Sequence, residues 1–198
     1  DAQESRGLGD VYKRQTRGST IALLYFLGMT SVWVLVALYL QIGTGKSALQ
    51  TALVGVPAAL TAAVAASWAG RRVDRRGRQL VIGGLGLALV GVVGSIVVAL
   101  LQAGGHISEW WLVLSLVFVG AAQGSVISPN QTLALADVPL AYAGSSGAVM
   151  QTGQRIGTSV GIAVITSATF TVLGATGSWP AALSTGFGLI GVIAVSYT

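Results

Sequence analysis

Long apolar stretches alternate with short polar ones along the whole chain. Apolar runs cover residues 20–42, 51–69, 80–101, 110–129, 143–173 and 180 to the end. Runs of about 18 or more apolar residues with few charges read as membrane-spanning helices, and these are too long and too uniform for buried strands. The alternating segments of about ten residues that build a membrane barrel are not present. Five connectors, 43–50, 70–79, 102–109, the stretch around Asp137 and Pro139, and 174–179, are short, so neighbouring spans should run antiparallel. The sixth run reads as cut short by the end of the chain.

Composition sharpens this into an all-α integral membrane protein. Of 198 residues, 53% are hydrophobic and only 9% charged, against about 25% charged in soluble domains; the mean hydropathy is +0.76. The net charge of +5 does not point to nucleic acid, because five of the eleven basic residues fall between Arg71 and Arg78, inside one connector. Basic clusters of this kind stay in the cytoplasm. Alternation then places the start of the first span, with Arg17, and the connector around Asp137 on the same side. Trp110, Trp111 and Trp179 fall at the opposite boundary, where indole rings favour the headgroup layer. No secretory signal pattern stands at the N-terminus.

Chemistry is sparse. With no cysteine and one histidine, neither a catalytic triad nor a metal-ligand cluster can be assembled, so no enzyme, cofactor or metal is expected. "GTGKS" (43–47) lacks the glycine five residues before Gly45 that a phosphate loop requires, since position 40 is Leu40. It reads as a turn with a solvated Lys46. In "GRRVDRRGRQ" (70–79), Gly70 ends a span, Asp74 lies among five arginines, and Gly77 is expected to supply a permissive turn. A lone acid in such a setting can pair with a cation or a helix N-terminus in one conformation and release it in another.

The fifth span carries a charge within its apolar run. At 100° per residue, Gln151, Arg155, Thr158 and Ser159 share one face, with Gly153, Gly157 and Gly161 opposite. The glycines are expected to admit a close neighbour; the polar face, to look into a cavity or an inter-helix network, because charge is rarely left facing lipid. Trp33 and Tyr39 in the first span and Gln123 and Asn130 in the fourth are further candidates for lining such a cavity. Pro57, Pro129 and the Gly83, Gly84, Gly86 group would permit kinks or close packing.

The termini carry a different signal. Asp-Val-Tyr-Lys-Arg-Gln (10–15) and Val-Ser-Tyr-Thr (195–198) can be encoded by GAT GTG TAT AAG AGA CAG and GTC TCT TAT ACA. The reverse complement of the second lies inside the first, and the pair resembles the transposase end used in sequencing libraries. Residues 1–15 and 195–198 are accordingly expected to be adapter-derived tails around a transmembrane bundle at 16–194.

Gly70, Asp74, Arg75, Gly77 and Arg78 resemble the G-x-x-x-D-R-x-G-R loop of the major facilitator superfamily, found between the second and third helices of each half. Arg72 stands where leucine is usual, and Gln79 where a basic residue is common. "GAAQG" (120–124) puts Gly120 in the arginine position of an N-terminal R-x-x-Q-G string, and the first span has no acid. The chain is therefore similar to a C-terminal six-helix half with its last helix truncated. Phrases such as "LYLQIGTGKSALQTALVGVP" and "DVPLAYAGSSGAVMQTGQRIGTSVGIAV" resemble the fourteen-helix drug:proton antiporters. The resemblance implies a multi-pass plasma-membrane protein that exports drugs or metabolites against protons by alternating access. Its partners would be the lipid bilayer, the missing N-terminal half, a small-molecule substrate and protons. It assigns the loop residues to a cytoplasmic gate and leaves Gln151 with Arg155 for the cavity or for coupling. A facilitator carrying an organic anion or a sugar is the alternative.

Overall fold

A computed structural model describes residues 20, 22–135, 138 and 140–196. Arg17, Asp137, Pro139 and the stretch 1–15 lie outside the described residues, as do the last two positions of 195–198. Among the described residues six helices are long and apolar enough to cross a membrane. They are α1 (Ala22–Gly43), α2 (Ala48–Gly70), α3 (Val73–Ala103), α4 (Leu112–Leu135), α5 (Leu140–Thr176) and α6 (Trp179–Ser196). The protein is a multi-pass membrane protein.

Local chemistry fixes the element ends. Ser47 caps α2: its Oγ accepts from the Gln50 N–H at 3.2 Å while Gln50 Oε1 accepts from the Ser47 N–H at 3.0 Å. This reciprocal pair satisfies two otherwise orphaned donors. The turns after α1, α3 and α5 each use one left-handed glycine, Gly45, Gly105 and Gly177, with φ of 65° to 70°. All three lie at the end remote from the arginines, whereas the turn between α2 and α3 is only Arg71 and Arg72. Helix α3 starts at Val73, seven residues before the apolar run, because arginines form helix as readily outside the bilayer as apolar residues do within it.

Helices α1 and α4 form the centre. Half of the apolar window of α1 and 56% of that of α4 are buried, against 17% for α2 and 22% for α5. Met29, Val32 and Leu35 of α1 and Leu116 and Val119 of α4 are fully buried, together with Val92, Ile165, Leu183 and Phe187 from the surrounding helices. The principal contacts pair α2 with α4, α3 with α4 and α3 with α6; glycine contacts add α1 with α5 and α1 with α6. Exchanging helices 1–3 for 4–6 maps α2/α4 onto α5/α1, α3/α4 onto α6/α1, and α3/α6 onto itself. These contacts match the internal repeat from which many transporter bundles are built, while α5 also packs on α6 more closely than α2 does on α3.

The repeat extends to the crossings. A Cβ on Gly120 or Gly124 of α4 would overlap the carbonyl oxygens of Ala58 and Ala62 on α2, and one on Gly157 or Gly161 of α5 would overlap those of Leu23 and Leu27 on α1. Lipid gives helices little hydrophobic reason to associate, so such backbone approach, with its dispersion contacts, holds the bundle together. Side-chain bonds add to it. Ser95 Oγ donates to Ser115 Oγ at 2.9 Å between α3 and α4, Thr61 Oγ1 lies 3.2 Å from the Val117 carbonyl oxygen between α2 and α4, and the Tyr39 hydroxyl donates to Gln102 Oε1 between α1 and α3.

Candidate functional site

Two places combine exposed polar chemistry with a defined backbone. The first is a groove between α1 and α5, lined by Phe26, Gln151, Gln154, Arg155, Thr158 and Ser159, with a volume of about 380 Å³. It lies near the midpoint of the 37-residue helix α5. Gly157 and Gly161 seat that helix on the α1 backbone, which leaves the residues beside them to form the groove wall. Gln151, Arg155 and Ser159 are exposed along one line of the helix, while Gln154 is only 5% exposed. Ser159 Oγ donates to the Arg155 carbonyl at 3.0 Å, so that hydroxyl is left as an acceptor. The Arg155 guanidinium has no ion-pair or hydrogen-bond partner among the described residues.

Gln151 and Arg155 are thus brought together, but the other cavity candidates are not. Tyr39 is buried at the far end of the bundle, bonded to Gln102 and tilted against Trp179 with ring centroids 6.0 Å apart. Trp33 packs across Gly55 of α2, and Gln123 and Asn130 sit on α4, Asn130 largely buried; none of the four lines the groove. Gln154 was not anticipated, although its spacing of three from Gln151 and four from Thr158 puts it on the neighbouring stripe of the same helix. Among the described residues, a Cβ at Gly153 would meet nothing within 4 Å, unlike one at Gly157 or Gly161.

The second place is the arginine turn. Gly70 is the last residue of α2. Asp74 stands in the first turn of α3, exposed, and Arg76 leaves helical geometry with φ −136° and ψ 21°. That kink sets the Asp74 turn off from the long helix behind it. Asp74, Arg75 and Arg78 have no ion-pair partner among the described residues. Arg72 is held instead by Trp68: its guanidinium lies 4.5 Å from the centre of the Trp68 ring and its Nη1 donates to the Trp68 carbonyl at 3.2 Å. Arg72 therefore folds back on the end of α2 and leaves the Asp74 turn open.

Gly77 does not supply a turn. It is buried inside α3 without positive φ, and a Cβ there would stand 2.9 Å from Leu133 Cδ1 of α4. Its role is to admit Leu133. Because that contact is the far end of a flexible side chain, Gly77→Ala is expected to cost about 1–2 kcal/mol, and adding Leu133→Ala should recover part of the loss. Thermal melting of the two single variants and the double variant checks this; additive losses would exclude the contact. Lys46 is half-buried with its Nζ 5.5 Å from the centre of the Trp110 ring, and Trp179, the first residue of α6, packs on Tyr39 and Phe170.

Comparison with known proteins bears on the same residues. The sequence model of the Major Facilitator Superfamily matches residues 3–162, a stretch that takes in the arginine turn and the α5 groove and begins within residues 1–15. A Streptomyces coelicolor protein described as a probable actinorhodin transporter is 34% identical over 162 residues, which is 81% of this chain and 28% of that relative. The chain thus spans less than a third of the length of the relative it matches.

Proposed function

The chain belongs to the major facilitator superfamily, and from that premise we propose that it is the C-terminal bundle of an exporter of drugs or metabolites driven by the proton gradient. The observation that carries this is the placement of the polar groove at mid-length of α5, one of the two helices whose flanks are least buried. In an alternating-access transporter a second bundle packs against such flanks, and the binding site lies at the midplane between the two. Exposed Leu49, Leu53, Leu60 and Val64 on α2 and Ile156, Val160 and Val164 on α5 suit that partner.

The proton carrier belongs to the part of the transporter beyond this chain, since Asp1, Glu4, Asp10, Asp74, Glu109 and Asp137 all fall outside the apolar runs. The relative's described role with actinorhodin supports a small organic molecule as cargo. The arginine turn would close the cytoplasmic side in one state and open it in the other, and the protein would sit in the plasma membrane.

The test is drug susceptibility of cells expressing the full-length protein, with and without a protonophore. Resistance that disappears when the gradient is collapsed is the expected result. Unchanged susceptibility with the protein present in the membrane would overturn drug export.

A further inference from the structure

We infer that the groove between α1 and α5 is an anion-binding subsite that takes the carboxylate of an aromatic acid. This deepens the export reading and rests on it for the cargo's fate. The first argument is charge. Arg155 sits within an apolar helix, all six acids of the chain lie outside the apolar runs, and its guanidinium is unpaired among the described residues. A cation at that depth is rarely left without an anion, and a planar guanidinium grips a carboxylate through two parallel N–H donors.

The second argument is independent of charge. Gln154 is 5% exposed, lines the groove, and its amide has no hydrogen-bond partner among the described residues. The amide itself is not fully buried, so it stays open to a group that enters the groove. A single acid from a neighbouring bundle would satisfy Arg155 alone; a ligand with several oxygens would also engage Gln151, Gln154 and Thr158. Phe26 closes the opposite wall with an apolar ring. A volume of about 380 Å³ accepts a bicyclic body and falls within the usual range of ligand pockets.

The experiment uses detergent-solubilised full-length transporter, with radiolabelled 1-naphthoate and its neutral methyl ester as probes in equilibrium binding. The acid is expected to bind at least about tenfold more tightly than the ester, as for hydrogen bonds to charged groups. Arg155→Gln should weaken the acid by about 10- to 100-fold and leave the ester within about twofold, with Arg155→Lys restoring part because charge returns without the fork. Gln154→Leu should weaken the acid about tenfold. Equal binding of acid and ester, or wild-type acid binding by Arg155→Gln, would overturn the subsite. If Arg155→Gln lowers the yield of folded protein, the wild-type acid-to-ester ratio and Gln154→Leu decide. Selective acid binding without gradient-driven export would retain the subsite and reject the export reading; export of neutral drugs with no acid preference would do the reverse.

Discussion

Gly161→Val in the full-length protein is expected to abolish recovery of a folded, monodisperse transporter, while Gly153→Val leaves recovery near wild type. Both positions lie in the same helix and eight residues apart, so helix propensity and membrane insertion are affected alike. They differ in what a side chain would meet. At Gly161 a Cβ overlaps the Leu27 carbonyl oxygen and crowds the Leu27 backbone carbon and Cα, whereas at Gly153 it meets nothing within 4 Å among the described residues. Backbone cannot rotate away as a leucine tip can, so α5 must lift from α1. Overpacking of this kind costs about 3 kcal/mol or more, and it also removes the neighbouring Gly157 contact with Leu23. Size-exclusion profiles and thermal melting of both variants provide the check. A melting temperature for Gly161→Val unchanged from wild type would mean that the α1–α5 crossing does not hold the bundle.

The contrast between those two glycines also marks what sequence could and could not reveal. Length and apolarity exposed all six spans, because a bilayer imposes both on any helix that crosses it. Hydropathy gave the embedded part of α3 but not its start, since the helix begins with exposed Asp74 and Arg75. Spacing grouped Gly153 with Gly157 and Gly161, but only the latter two lie against α1 among the described residues, because period alone cannot say where a neighbour ends. The equivalent pair in "GAAQG", Gly120 and Gly124, was legible by the same rule and was read only for its missing arginine. Contacts between distant segments left no local trace. Nothing near Tyr39 in the chain announces Gln102, 63 residues away, and nothing near Lys46 announces Trp110. The polar stripe of α5 was legible because arginine is so rare in an apolar run; Gln154 was hidden because its burial depends on where α1 lies.

At the arginine turn, Asp74→Asn is expected to lower export by about tenfold or more at unchanged membrane level, while Arg72→Ala has little effect. Asp74 is exposed, unpaired among the described residues, and carried on a turn that the kink at Arg76 separates from the long helix. Its charge therefore contributes little to the stability of this bundle, and exposed charges near a helix start account for only about 0.3–1 kcal/mol. A carboxylate that stabilises nothing here but pairs with a donor across the cytoplasmic side in one transport state would contribute about 1.5–3 kcal/mol to that state alone. Losing it shifts the balance between inward- and outward-facing forms, which changes turnover without changing assembly. Arg72 is already committed to Trp68 at the end of the preceding helix, so its removal should leave the Asp74 turn untouched. Arg75→Gln and Arg78→Gln, whose guanidiniums are equally free among the described residues, should follow Asp74→Asn. The measurement is initial efflux rate normalised to transporter in the membrane, with melting temperature as control. Equal loss of rate and of melting temperature for Asp74→Asn would assign the acid to folding, and loss of rate alone would assign it to the gate.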